Sequence, residues 1–87
     1  MAKTKSNKPV CKVDKYGTKF WYKNGLLHRV DGPAVEGAAE EKAWYLNDQL
    51  HRVDGPAIEY ANGDKYWYLN GQYLTEQGWK EEVKKLK

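Results

Sequence analysis

Apolar and polar positions in this chain alternate over short runs, and a helical period appears only near the C-terminus. Ala57-Ile58-Glu59-Tyr60 and Lys65-Tyr66-Trp67-Tyr68-Leu69 are rich in aromatic and β-branched residues, with Asn62-Gly63 between them. Such a pattern predicts two antiparallel strands joined by a hairpin turn. Asn24-Gly25, Asn47-Asp48 and Asn70-Gly71 mark a second kind of turn, since these residues tolerate positive φ. Asp31-Gly32-Pro33 and Asp54-Gly55-Pro56 mark a third, because proline cannot donate to a central ladder. Strand alternation gives Lys19, Trp21 and Lys23 one face and Phe20 and Tyr22 the other, so both faces carry rings. The pattern leaves open which of them is the core; the regular return of tryptophan favours a stack of Trp rings there.

The same signals recur. WYKNGLLHRVDGPAVE from Trp21 returns as WYLNDQLHRVDGPAIE from Trp44 and starts again as WYLNGQYL at Trp67, a period of 23 residues. Lys19, Lys42 and Lys65 fall in register, as do Trp21, Trp44 and Trp67. The third copy departs into LTEQGWK and EEVKKLK, where Trp79, Val83 and Leu86 take helical spacing behind Thr75, a good N-cap. Gly78 weakens the first turn of that helix and is expected to delay its start. The predicted fold is all-β: antiparallel β-hairpin repeats, about two and a half units of 23 residues, closed by a short C-terminal capping helix over about 76–86. Residues 1–11 read as a flexible basic arm and 12–87 as one β-repeat domain.

With 87 residues the chain holds one domain, able to bury only about 60% of its unfolded surface. Four Trp, seven Tyr and one Phe stand in for scarce aliphatics. No apolar stretch is long enough to span a membrane, and MAKTKSNKPVCK lacks the apolar core of a signal peptide. The single Cys11 can form no internal disulfide. A soluble, non-secreted protein of the reducing cytoplasm is expected. Charge is unevenly spread: residues 1–23 carry seven lysines against Asp14 alone, whereas residues 24–79 hold four basic residues against nine acids. A basic end beside an acidic body suits a polyanion at one end and a protein partner at the other.

Catalytic readings find little support. His28-Arg29-Val30-Asp31 looks like a kinase HRD, yet 87 residues cannot hold a kinase and no nucleotide loop or DFG follows. An acid-base pair of His28 with Asp31 would be duplicated at His51 and Asp54, which fits a structural role better, with Arg29 and Arg52 pairing to the aspartates to fix the turns. A metal shared by His28 and His51 would need two further donors, and Cys11 has no positioned base. No phosphate-cradling glycine loop occurs. A non-enzymatic protein without cofactor or metal is expected. Lysines interleaved with rings in KVDKYGTKFWYK are the composition of a surface that neutralises phosphates while rings stack on unpaired bases. Lys12, Lys15, Tyr16, Lys19, Trp21 and Lys23 are the candidate nucleic-acid contacts, with Arg29 and Arg52 behind them. The competing explanation is that the lysines only solubilise the chain and guard its first edge strand.

LHRVDGPA, present twice, together with WYKNG and WYLNG, resembles small proteins of tailed bacteriophages and some bacteria built from HRxDGPA and WYxNG repeats, distantly similar to MORN-type β-hairpin repeats. The resemblance covers residues 12–87. Its GAAEEK segment at 37–42 departs from the usual NG-type turn, so a looser second hairpin is expected. In size and charge the chain looks like phage inhibitors of ToxIN-type toxin endoribonucleases, which engage the toxin together with RNA. The resemblance therefore implies a counter-defence factor that inhibits or sequesters a host protein in the host cytoplasm together with RNA; the interleaved lysines and rings, without an RNP, KH or zinc-finger pattern, imply that the RNA is single-stranded and bound with little sequence specificity. The acidic body, at Glu36, Glu40, Glu41, Asp48 and Glu59, would face that partner. The alternative is an RNA-independent interaction module using the aromatic face, and unpaired edge strands make self-association a further expectation.

Overall fold

Three Asn-led turns set the geometry. Asn24-Gly25, Asn47-Asp48 and Asn70-Gly71 all have positive φ at both central residues, from 49° to 80°. This is the turn whose twist matches that of the strands it joins. In the computed structural model, which describes residues 8–86, these turns join β2 (Lys19–Lys23) to β3 (Leu26–Leu27), β6 (Tyr45–Leu46) to β7 (Gln49–Leu50), and β9 (Lys65–Leu69) to β10 (Gln72–Leu74). The other strands are β1 (Val10–Val13), β4 (Val35–Glu36), β5 (Lys42–Ala43) and β8 (Ile58–Glu59). One antiparallel sheet runs β1-β2-β4-β5-β8-β9-β10 with β3 beside β2, and β6-β7 form a separate pair. A helix, α1 (Glu76–Lys84), closes the chain. The fold is thus mostly antiparallel sheet with one short C-terminal helix. No helix among the described residues is long and apolar enough to cross a membrane.

Longer turns join β1 to β2, β4 to β5 and β8 to β9. In each, a backbone N–H reaches the carbonyl four residues on: Asp14 to Thr18 at 3.0 Å, Gly37 to Glu41 at 2.7 Å, Tyr60 to Asp64 at 2.9 Å. Gly17, Glu40 and Gly63 occupy the same left-handed position. The segment at 37–42 is therefore as tightly bonded as the other two, contrary to the looser hairpin expected. It does place a glutamate at φ 71° where its counterparts have glycine.

Register sorts the side chains cleanly. Lys19, Glu36, Lys42, Glu59 and Lys65 lie directly opposite one another across β2, β4, β5, β8 and β9, an alternating row of charge on the tryptophan face. Opposite charges in such pairs contribute about 0.2–1 kcal/mol each. Phe20, Val35, Ala43, Ile58 and Tyr66 form the matching row on the other side, the tyrosine face. The tryptophan face is the covered one. Ala34, Ala57, Leu69 and Trp79 are the buried apolar residues, and α1 packs there with Trp79 4.7 Å from Trp67, its Nε1 donating to the Arg52 carbonyl at 2.8 Å. Trp21 and Trp44 do not stack ring on ring as expected; each carries an arginine guanidinium, at 3.9 and 3.6 Å.

The termini differ from expectation in detail. Of the basic arm assigned to 1–11, residues 1–7 lie outside the described residues, and Val10 and Cys11 already belong to β1. Gly78 does not delay α1, because its N–H is taken by the Thr75 hydroxyl at 3.0 Å, which fixes the first turn. The helix ends at Lys84, leaving Leu86 63% exposed rather than in the apolar stripe.

Candidate nucleic-acid interface

The HRVDGPA segments are built as arginine clamps. Arg29 Nε donates to Asp31 at 3.1 Å, and its Nη1 donates to the Pro33 carbonyl at 3.1 Å and to Glu36 at 3.2 Å, while the guanidinium lies on Trp21. Arg52 makes the same set with Asp54, Pro56, Glu59 and Trp44, at 2.8, 3.0, 2.9 and 3.6 Å. Gly32 and Gly55 leave room for this packing, since a Cβ there would stand 3.0 and 2.8 Å from the guanidinium carbon and push the arginine aside. Ala34 and Ala57 are fully buried and accept the N–H of Trp21 and Trp44. His28 and His51 each accept, on Nδ1, the N–H of Asn47 or Asn70, at 3.0 and 2.9 Å. The repeated Arg, Asp and His side chains of the two segments are thereby engaged within the chain.

The predicted contacts consequently divide. Lys15 and Tyr16 stand together on the β1–β2 turn, which is shaped by the Asp14 carboxylate accepting the N–H groups of Tyr16 and Thr18 at 2.9 and 3.0 Å. This Asx turn holds Tyr16 out, 70% exposed, with Lys15 Nζ 5.2 Å from its ring centroid. Lys12 lies beside them on β1, its Nζ 5.8 Å from the Tyr22 ring on the tyrosine face. Lys19 and Lys23 share β2 but project to the tryptophan face, Lys19 opposite Glu36 and Lys23 opposite Leu26. Trp21, Arg29 and Arg52 are not brought to this group; Trp21 lies under Arg29 in one clamp and Arg52 on Trp44 in the other, both on the tryptophan face. Tyr22 and Phe20, stacked at 6.3 Å next to Lys12, are the rings that the sequence reading passed over. The alternation across Lys19–Lys23, combined with the register to β1, is the signal that would have found them.

The acidic residues do not gather into one patch. Glu36 and Glu59 are held by the clamps, with side chains about one-third exposed. Glu41 folds over Gly37 and accepts the Ala39 N–H, beside Glu40. Asp48 sits at the opposite end of the strands and accepts the Leu27 N–H at 2.6 Å. Cys11 is exposed on β1, and no cluster of three metal-ligating side chains occurs among the described residues. Comparison of the chain with protein-family models, with curated proteins and with solved structures gives no match.

Proposed function

We propose that this chain is a phage-type accessory factor, built of about two and a half 23-residue hairpin units, that binds single-stranded RNA at its basic end and inhibits or sequesters a host protein such as a toxin ribonuclease. The observation that carries the RNA reading is the β1–β2 turn. It presents an exposed tyrosine ring with a lysine ammonium against it, and a further cation, Lys12, stands over Tyr22 on the adjoining strand. Cations there would neutralise phosphates, while Tyr16 offers a π-face to any base, a sequence-tolerant mode of contact. Lys19 and Lys23, at the two ends of β2, extend the positive field to the tryptophan face of the same sheet edge. Arg29 and Arg52 serve the fold in this reading, because recruiting them would open the clamps.

The acidic turn at Glu40 and Glu41 adjoins the β1–β2 turn, the Ala38 N–H donating to the Thr18 hydroxyl at 3.3 Å, so a basic partner that meets it would sit beside the bound RNA. The test is fluorescence anisotropy with a labelled oligouridylate at two salt concentrations. Four lysine contacts with single-stranded RNA should weaken binding about 50-fold between roughly 50 and 200 mM salt. Replacing Lys12, Lys15, Lys19 and Lys23 by Ala should abolish that salt dependence along with most of the affinity. Tyr16→Ala should weaken binding at both salts alike, by the roughly 1–3 kcal/mol that one stacked base contributes. Unchanged affinity in the lysine variant would refute this site.

A further inference from the structure

The tyrosine face is a large apolar surface that nothing in the described chain covers. Phe20, Val35, Ala43, Ile58 and Tyr66 form one row across the sheet, and beyond it stand Tyr22, Tyr68 and Tyr73, with Tyr45 following Ala43 by two residues on the β6–β7 pair. Rings touch along it, Tyr66 to Tyr73 at 6.4 Å and Tyr68 to Tyr73 at 5.5 Å. No side chain of either row is buried; Tyr66 and Tyr73 are 37% and 58% exposed. The helix and both clamps lie on the opposite face, and the molecule measures 47 × 33 × 16 Å, a slab one sheet thick with a partial second layer. A sheet with an apolar face is stable when a second layer covers it.

We propose that the second layer is another copy of this chain, packed sheet face to sheet face about a two-fold axis near Ala43, with the long axes antiparallel. Three features select this occupant. The footprint is first: seven strands about 4.8 Å apart, the longest of five residues or about 17 Å, carry on the order of 500 Å² per copy, which reaches the roughly 1,000 Å² in total that a specific interface needs. The face is self-complementary: among the described residues neither row holds a carboxylate, and the cation paired into it is Lys12, at its rim. An RNA strand crossing its centre would find no cation for its phosphates. Finally, the antiparallel arrangement sets Lys12 of each copy over Tyr73 at the far rim of the other, whereas a parallel one would set Lys12 on Lys12. The two sites meet at Lys12 and Tyr22 on the rim of the face, while Lys15 and Tyr16 stand on the turn beyond the strands.

Sedimentation of the full chain from about 1 to about 100 μM should show the mass rising from 10.1 kDa to twice that value. Ala43→Glu puts two like charges at the axis and should raise the dissociation constant at least about 100-fold, with an unchanged circular dichroism spectrum. Should that variant fail to fold, a Cys11→Ser chain carrying Ala43→Cys decides the matter. It should cross-link to itself with a short bismaleimide, whereas Tyr73→Cys in the same background should not. RNA affinity retained by the monomeric Ala43→Glu chain would separate the two sites. A monomer at every concentration would overturn the proposal. So would a dimer that survives Ala43→Glu, or one that an added oligouridylate takes apart, which would make the face an RNA platform.

Discussion

Arg52 concentrates more of the fold's specificity than any buried side chain. Its one planar group satisfies two carboxylates and a backbone carbonyl while covering an indole, and its side chain is 19% exposed. A lysine offers a single ammonium on a flexible stem and cannot reproduce the fork or the stack. Arg52→Lys should therefore destabilise the domain almost as much as Arg52→Gln, by roughly 2–3 kcal/mol, as read by a lower urea midpoint with unchanged slope. A loss within about 0.5 kcal/mol would show that the clamp is ornamental. Part of this was legible beforehand: Arg next to Asp-Gly-Pro suggests a pair that fixes the turn. The second carboxylate was not, because Glu36 and Glu59 stand seven residues downstream and meet their arginines only once the return strand has crossed the sheet. Read without that crossing, they looked like free acids awaiting a partner.

At the level of elements, the turns were readable because positive φ selects Asn, Asp and Gly so strongly, and the Thr75 cap because hydroxyls at that position have few other uses. Strand faces were readable too, but not their occupancy, since tryptophan and tyrosine both suit a pleated surface and only the path of the HRVDGP segments decides which is covered. One joint between elements is sensitive to acid. The His51 Nδ1 accepts the Asn70 N–H, so its imidazole must stay neutral there, and burial pushes its pKa below the ordinary 6.5. With the folded value depressed, the unfolded chain takes up its proton first as pH falls. Stability should be level above about pH 6.5 and decline below it until the folded imidazole also protonates. Urea midpoints at about pH 7.5, 6.5 and 5.5 should follow that course in the parent chain and flatten in His51→Gln. A midpoint that climbs on acidification would contradict the assignment.

Across the whole molecule, contacts pass from each hairpin to the next, and the two ends are unequal. One end carries α1, with Trp79 buried against Trp67 and bonded to the Arg52 carbonyl. The other end is β1, exposed along its length. In such a linear arrangement, local opening starts where neighbours are missing. Amide exchange should therefore be fastest in Val10–Val13 and slowest around Trp67 and Leu69. Uniform protection from end to end would indicate a single cooperative block instead.

Near-identical hairpins also invite a folding chain to dock the wrong neighbour. Asp48 is where the copies differ in a way the structure uses. Its carboxylate receives the Leu27 amide, and its counterpart in the third turn, Gly71, has no side chain to offer. Were the third hairpin to settle against the first, that amide would lose its acceptor. A left-handed aspartate, costlier in backbone terms than glycine, thus serves as an address label: it tells the first hairpin which of two look-alikes is next in line.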